Sequence, residues 1–258
     1  MIETSRTLKA ALTALGPPLR GAVWLAAPRS ILTGALTLLF GAALLVVAGS
    51  AATALSKGDL PSPAATFQVF CELISDPFYY SGPNDQGIGR QLWSSLQRVL
   101  GGFVLGGAAG IPFGMLIGAN PVLRRLFDPV VQILRPVSPL AWFPIGLATF
   151  HGTGSATVFV IFITSLWPTV INTALGVSSI PERYKEVARV FNFSRYQYLT
   201  RVVLPYSLPH IMTGLRLSMG VAWLVIVAAE MLSGGSGIGF FVWDSWNALS
   251  LERVMSAI

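Results

Sequence analysis

The sequence predicts an all-α, polytopic membrane protein with about five complete spans and the start of a sixth. Three observations carry that prediction. Charged residues are only 11% of the 258, against roughly 25% in soluble domains. Apolar runs near the ~20 residues needed to cross a bilayer recur along the chain. Lys and Arg collect in alternate connections, which is how a multi-span bundle records its orientation.

The rest of the composition narrows the class. The chain is 53% hydrophobic with a mean hydropathy of +0.66, so one compact membrane domain in a lipid bilayer is the simplest organisation. The net charge of +6 follows the basic connections, so it signals topology and no nucleic-acid partner. The single cysteine, Cys71, excludes an intramolecular disulfide and a cysteine metal cluster. His151 and His210 stand apart without zinc spacing, so no metal site is expected. No G-x-x-x-x-G-K-[ST] is present, so the chain does not hydrolyse ATP by that route.

Residues 1–29 carry Arg6, Lys9, Arg20 and Arg29 against Glu3 and are broken at Gly16-Pro17-Pro18. They read as a cytoplasmic arm rather than a cleaved signal peptide. Residues 30–91 hold the first span, about Ser30 to Thr53, and an external segment poor in Lys and Arg. Within that segment Ala64 to Ile74 reads as a short helix. Residues 92–258 form the core. Its first span, about Leu92 to Gly118, carries Gly102, Gly106, Gly110, Gly114 and Gly118 at spacing four. That is one smooth groove for a neighbouring helix, either a fixed seam or a surface that slides. Asn120-Pro121 turns the chain, with Arg124 and Arg125 in an inside loop. The next span, about Val130 to Phe150, is interrupted by Pro136, Pro139 and Pro144. Prolines free backbone carbonyls, so this stretch is a broken helix, either a kink or the lining of a wet path. His151 to Gly154 is an outer turn, and a fourth span runs from about Ser155 to Val177. A fifth runs from about Ser207 to Met231. Ser233 to Ser250 reads as an outer segment whose Trp243 and Trp246 suit a membrane interface. Leu251 to Ile258 reaches only about 12 Å as a helix, so a sixth span starts there and truncation is expected.

Between spans four and five lies the most basic connection, Ser178 to Pro205, with coupling helices at about 179–203. Ser179-x-x-Glu182 reads as a capping box with Pro181 in the first turn. The helix carries Ile180, Tyr184, Val187, Ala188 and Phe191 on one face, with Glu182, Arg183, Lys185, Glu186 and Arg189 off it. Asn192 is a left-handed stop. Ser194-x-x-Gln197 reads as a second capping box, opening a helix that Leu204-Pro205 ends. Two short amphipathic helices bent at Asn192-Phe193 either transmit force from a soluble partner or lie passively in the headgroups.

Glu186-Val187-Ala188, Asn192 and Val202-x-Leu204-Pro205 resemble, in spacing throughout, the "EAA" loop of binding-protein-dependent ABC importer permeases. Val187, Asn192 and Val202 depart from its letters, and Asn still tolerates the left-handed bend. From Gly214 to Met231, and then through Gly237-Ile238-Gly239-Phe240 and Trp243-Asp244-Ser245-Trp246-Asn247, the chain looks like permeases of nitrate, bicarbonate and sulfonate importers. It looks most like the cyanobacterial nitrate and bicarbonate type. The resemblance covers the chain from about Leu92 onward. It implies a type I ABC importer transmembrane domain in a bacterial inner membrane, with the N-terminus and the loop cytoplasmic. It further implies a second permease copy, two ATPase subunits that bind the ATP and Mg, and an external solute-binding protein. The chain itself then needs no cofactor. The ATPase-coupling residues implied are Glu182, Arg183, Tyr184, Glu186, Val187, Ala188, Arg189, Phe191, Asn192 and Phe193.

Candidate residues for a permeation path are Arg135, Ser138, Thr164, Thr213, Arg216, Ser218 and Glu230. Arg216 is the sharpest, because a mid-membrane charge costs on the order of 2.5–3.5 kcal/mol and so faces the bundle interior or a wet cavity, unless it snorkels or bonds a carbonyl. Arg98 poses the same question nearer a span end. The hydroxyls suit a small oxyanion or simply satisfy helix backbone. Glu230 caps a gate, pairs with Arg216, or is a solvated helix end. No catalytic residues are expected, since the spans hold neither paired carboxylates nor a histidine cluster. The competing classes are a passive anion channel, which needs no bent helix pair, and a signalling subunit that passes no solute.

Overall fold

The computed structural model describes residues 19–56, 60–82 and 85–257, so most of the basic arm at residues 1–29 lies outside the described residues. The chain divides into two compact units, one ending at Ala65 and one beginning at Thr66. In the first, α1 (Leu19–Leu55) contains an apolar stretch, Leu36–Leu55, long enough to cross a membrane. Its Leu38, Phe40 and Leu45 are exposed within the chain, as suits side chains solvated by lipid. The expected short helix follows as α2 (Pro63–Ser75).

The second unit is built on three long helices: α3 (Ile88–Ala119), α6 (Thr153–Ser178) and α9 (Leu204–Ser233). The glycine ladder decides how the first two meet. A Cβ placed on Gly102 would lie 2.6 Å from the Ile161 side chain, on Gly106 2.7 Å from Ser165, on Gly110 3.0 Å from Thr169, on Gly114 2.7 Å from Thr173 and on Gly118 2.8 Å from Val177. Both series ascend together, so α3 and α6 run in the same direction. Hydrocarbon gives helices no hydrophobic reason to associate, so this backbone-close seam supplies the dispersion contact that does. On the other side of α6, Gly176 meets His210, Gly214 meets Asn172, and Ser218 bonds Ser165 and Thr169. Here one series descends as the other ascends, so α9 is antiparallel to α6. Val99, Ile161, Ala222 and Ile226 form the apolar core where all three meet.

Two expectations, the first and the third below, are corrected, and the expected break in the third span is borne out. First, Arg124 and Arg125 do not sit in a loop. Asn120 Oδ1 accepts hydrogen bonds from the Val122 and Leu123 amides and starts α4 (Pro121–Leu134) at once, with Pro121 in its favoured first position. Second, the broken span is a sharp elbow. α4 and the Pro139–Phe150 segment, a 3₁₀ turn leading into α5 (Phe143–Phe150), are bent by 96°, because Pro136 and Pro139 remove two amide donors within four residues. Third, Leu204-Pro205 does not end a helix. After α7 (Glu182–Val190) and α8 (Arg195–Tyr198), a π segment, Leu199–Val203, leads straight into α9. There the Leu204 N–H reaches back five residues to Leu199 O. That wider turn accommodates the missing amide of Pro205 without a break.

Among the described residues four helices are long and apolar enough to span, or five if the elbow counts as one span. The segment after α9 holds α10 (Ile238–Asn247), followed by α11 (Leu251–Ala257).

Candidate functional site

The connection between α6 and α9 is a rigid hairpin, although not capped as its sequence suggests. Ser179 stays helical and its Oγ donates to Gly176 O at 2.9 Å, while Pro181 takes the N-cap position of α7 without a side-chain bond. The expected Ser179–Glu182 box is therefore absent, because Ser179 still belongs to the last turn of α6. Glu182 instead accepts from Lys185 Nζ at 2.9 Å and Arg189 Nη2 at 3.4 Å. The Lys185 hydrogen bond holds its carboxyl below the usual glutamate range, aided by the charges of Lys185 and Arg189 and opposed by slight desolvation. At the other end Asn192 adopts φ 49°. The Phe193 amide bonds Ala188 O and the Asn192 amide bonds Arg189 O, the paired pattern of a Schellman stop. The second box is formed in full: Ser194 Oγ accepts from the Gln197 amide and Gln197 Oε1 from the Ser194 amide.

The expected apolar face of α7 divides in two. Ile180 and Ala188 are buried, Ile180 in a cluster with Val177 and Val203. Tyr184 touches the Tyr206 ring at 5.8 Å yet remains 41% exposed, and Val187, Val190 and Phe191 are 51%, 78% and 69% exposed. These four form an unpartnered ridge. Glu186 lies beside it with no ion pair among the described residues, and Arg183 lies over the Tyr184 ring. Next to the ridge Lys185, Arg189, Asn192, Phe193 and Arg195 line a basic cleft of about 540 Å³.

The path candidates scatter into five places. Arg135 and Thr164 come together in a cavity of about 290 Å³ at the elbow, with Trp167, Asn172, Leu217 and Val221. Ser138 is exposed at the start of the 3₁₀ turn. Thr213 and Arg216 are exposed on α9, and Thr213 Oγ1 satisfies Pro209 O. Ser218 is buried in the α6–α9 seam, its hydroxyl 2.9 Å from that of Thr169. Glu230 neither pairs with Arg216 nor meets solvent. It is fully buried, 2.7 Å from Arg98, and also accepts from Ser95 Oγ and the Gly239 amide. Arg98 continues to Ser236, and Gln91 Oε1 accepts the Gly237 amide. Gln91, Ser95 and Arg98 fall on one helical face at spacings of four and three, a signal legible in the sequence had a buried acidic partner been sought. Thr164, Trp167 and Asn172, at spacings of three and five, line the one cavity without following that pattern. The Trp167 indole N–H is buried and has no acceptor among the described residues, which costs about 1–3 kcal/mol.

The family described as "binding-protein-dependent transport system inner membrane component" matches residues 110–253. The chain is 50% identical over 196 residues to the nitrate import permease protein NrtB of Leptolyngbya laminosa, covering 76% of this chain and 70% of that one. It is 45% identical over 202 residues to the bicarbonate transport system permease protein CmpB of Synechococcus elongatus, covering 77% and 73%. Its fold is similar to a chain of the MetNI methionine ABC transporter in an inward-facing conformation, with a TM-score of 0.54 and 18% identity, over 65% of this chain and 86% of that one.

Proposed function

We propose that this chain, which belongs to the family of inner membrane components of binding-protein-dependent transport systems, is the permease subunit of an ATP-driven importer that moves nitrate or nitrite inward by alternating access. A bicarbonate importer is the second reading, favoured by the similarity to bicarbonate permeases. Hydrolysis of ATP belongs to two separate ATPase subunits on the cytoplasmic side. An external binding protein delivers the anion, and a second permease copy completes the path.

One observation carries the motor-driven part: the exposed ridge of Tyr184, Val187, Val190 and Phe191 on a hairpin closed at both ends by hydrogen bonds. A groove on the ATPase subunit buries the ridge, and Glu182, Arg183, Glu186 and Arg189 pair at its rim. Because α8 and the π segment continue into α9, a push on the hairpin is delivered along a single rod into the membrane. The exposed Arg216 is costly against lipid, and in a two-copy assembly it faces water or the partner.

The experiment is uptake of labelled nitrate, and separately of labelled bicarbonate, by the purified complex in lipid vesicles with its binding protein, with and without ATP. Nitrate accumulation that requires both ATP and the binding protein supports the first reading. Flux down a gradient without ATP would make the protein a channel.

A further inference from the structure

We propose that the cavity at the elbow between α4 and α5 is a resting site for the translocated anion, built for a weakly hydrated planar one. The proposal rests on the importer reading above and adds to it a place of binding within this chain. The cavity lies against Thr164, Trp167 and Asn172, near the middle of α6 and hence at mid-membrane depth.

Its chemistry is one-sided. Among the described residues Arg135, itself exposed, is the only charged side chain lining it and has no ion pair. A guanidinium offers a planar fork of donors that matches two oxygens of a flat oxyanion. The Trp167 ring lines the void, while its indole N–H is buried away from solvent and has no acceptor among the described residues. Asn172 gives one amide hydrogen to Pro168 O and keeps the second. The free Asn172 amide hydrogen and an uncompensated cation around one void ask for an anion. The void of about 290 Å³ holds on the order of ten waters at ~30 Å³ each, ample for a four-atom anion and part of its hydration shell.

The walls decide between anions. Leu217 and Val221 line one side and are themselves exposed, and the Thr164 hydroxyl donates to Val160 O, so it offers the ligand an acceptor only. A strongly hydrated anion loses more on leaving water for such walls than nitrate does. Hydration, not hydrogen bonding, ranks nitrate above bicarbonate here, since the acceptor-only Thr164 hydroxyl suits the bicarbonate O–H, whatever the external receptor selects.

The test uses the complete complex in lipid vesicles and titrates sodium nitrate against tryptophan fluorescence, with sodium sulfate at matched ionic strength as the control. A bound nitrate beside the indole gives saturable quenching in the wild type. That component disappears in Trp167→Phe and persists in Trp246→Phe, whose ring is on α10. Arg135→Lys keeps the charge but loses the fork, and its midpoint rises about tenfold, as loss of one charge-assisted hydrogen bond implies. Bicarbonate displaces nitrate only at higher concentration. Strictly linear quenching in the wild type overturns the site, as does a saturable component surviving in both Trp167→Phe and Arg135→Gln. Displacement by equal bicarbonate overturns the preference. ATP-driven nitrate uptake measured on the same vesicles separates the two levels: uptake without saturable quenching removes only the site, whereas no uptake at all removes the importer reading.

Discussion

Arg98 of α3 and Glu230 of α9 meet at 2.7 Å, the carboxylate fully buried and the guanidinium still 20% exposed. The pair joins two long helices and also holds the segment leading into α10. Glu230 accepts the Gly239 amide and Arg98 bonds both the carbonyl and the hydroxyl of Ser236. A Cβ on Gly237 would collide with the Glu230 carboxylate and one on Gly239 with the Val227 carbonyl one turn before it, so these glycines let the chain pass close to the end of α9 and wrap the carboxylate.

Removing one partner should cost far more than removing both. Arg98→Ala strands a buried charge and is expected to destabilise the protein by about 3–5 kcal/mol. Arg98→Leu with Glu230→Leu should recover much of that loss. Thermal unfolding of wild type, Arg98→Leu, Glu230→Leu and the double variant in a double-mutant cycle, with Arg98→Ala beside them, checks this. An Arg98→Ala protein as stable as wild type would show that the pair holds nothing.

The seam between α3 and α6 makes a second prediction. A methyl at Gly114 meets the Thr173 Cβ at 2.7 Å and Val170 O at 2.7 Å. Gly114→Ala must push the helices apart and should cost about 1–3 kcal/mol. Thr173→Gly in the same chain should relieve part of the clash, and folded yield with melting temperature measures both. Gly220, which has open space around it, is the control, and Gly220→Ala should be tolerated.

The hairpin ridge should matter for assembly and not for folding. Val187→Asp and Phe191→Ala alter exposed side chains, so stability should change by less than about 0.5 kcal/mol. Co-purification of the ATPase subunits should weaken by about thirtyfold or more, the size of a truncated anchor at an interface centre. Glu186→Ala should assemble yet transport poorly. Unchanged ATP-linked uptake in that variant would remove Glu186 from the coupling role.

Glu182 supplies a pH dependence confined to α7. Its carboxyl sits below the ordinary glutamate value because Lys185 bonds it. A depressed carboxyl stabilises the fold above its unfolded value, and the contribution is lost as pH falls through the depressed one. Hydrogen exchange of residues 183–190, compared with Glu182→Gln at each pH, should therefore converge with the mutant in acid and differ near neutrality. The effect is small, since both charges are exposed. A difference that persists in acid would assign the protection to something else.

Much of this was legible in the sequence because it is local. Span lengths, the glycine ladder, the Asn192 stop and the Ser194–Gln197 box each follow from side chains within a turn or two of one another, and each stands in the fold. The misreadings share a different cause. Ser179 and Pro181 compete for one cap, and which wins depends on where α6 ends. Leu204-Pro205 looks like a terminator until a π turn absorbs the lost amide. Arg216 drew attention as a lone charge, while the ion pair lay with Arg98 and Glu230, 132 positions apart.

By itself, then, the chain's order of residues determined a bundle of spans with a stiff polar hairpin slung between two of them. Periodicity and capping act over a few residues, and hydropathy over one span. Only the tertiary structure decided which polar groups meet: that Glu230 is buried against Arg98, that Arg135 and Trp167 share a cavity, and that half of the α7 apolar face is left bare. Those outcomes depend on which helices run parallel and at what depth. That is fixed by close packing across the seam, where a 2.6 Å approach admits glycine and nothing larger.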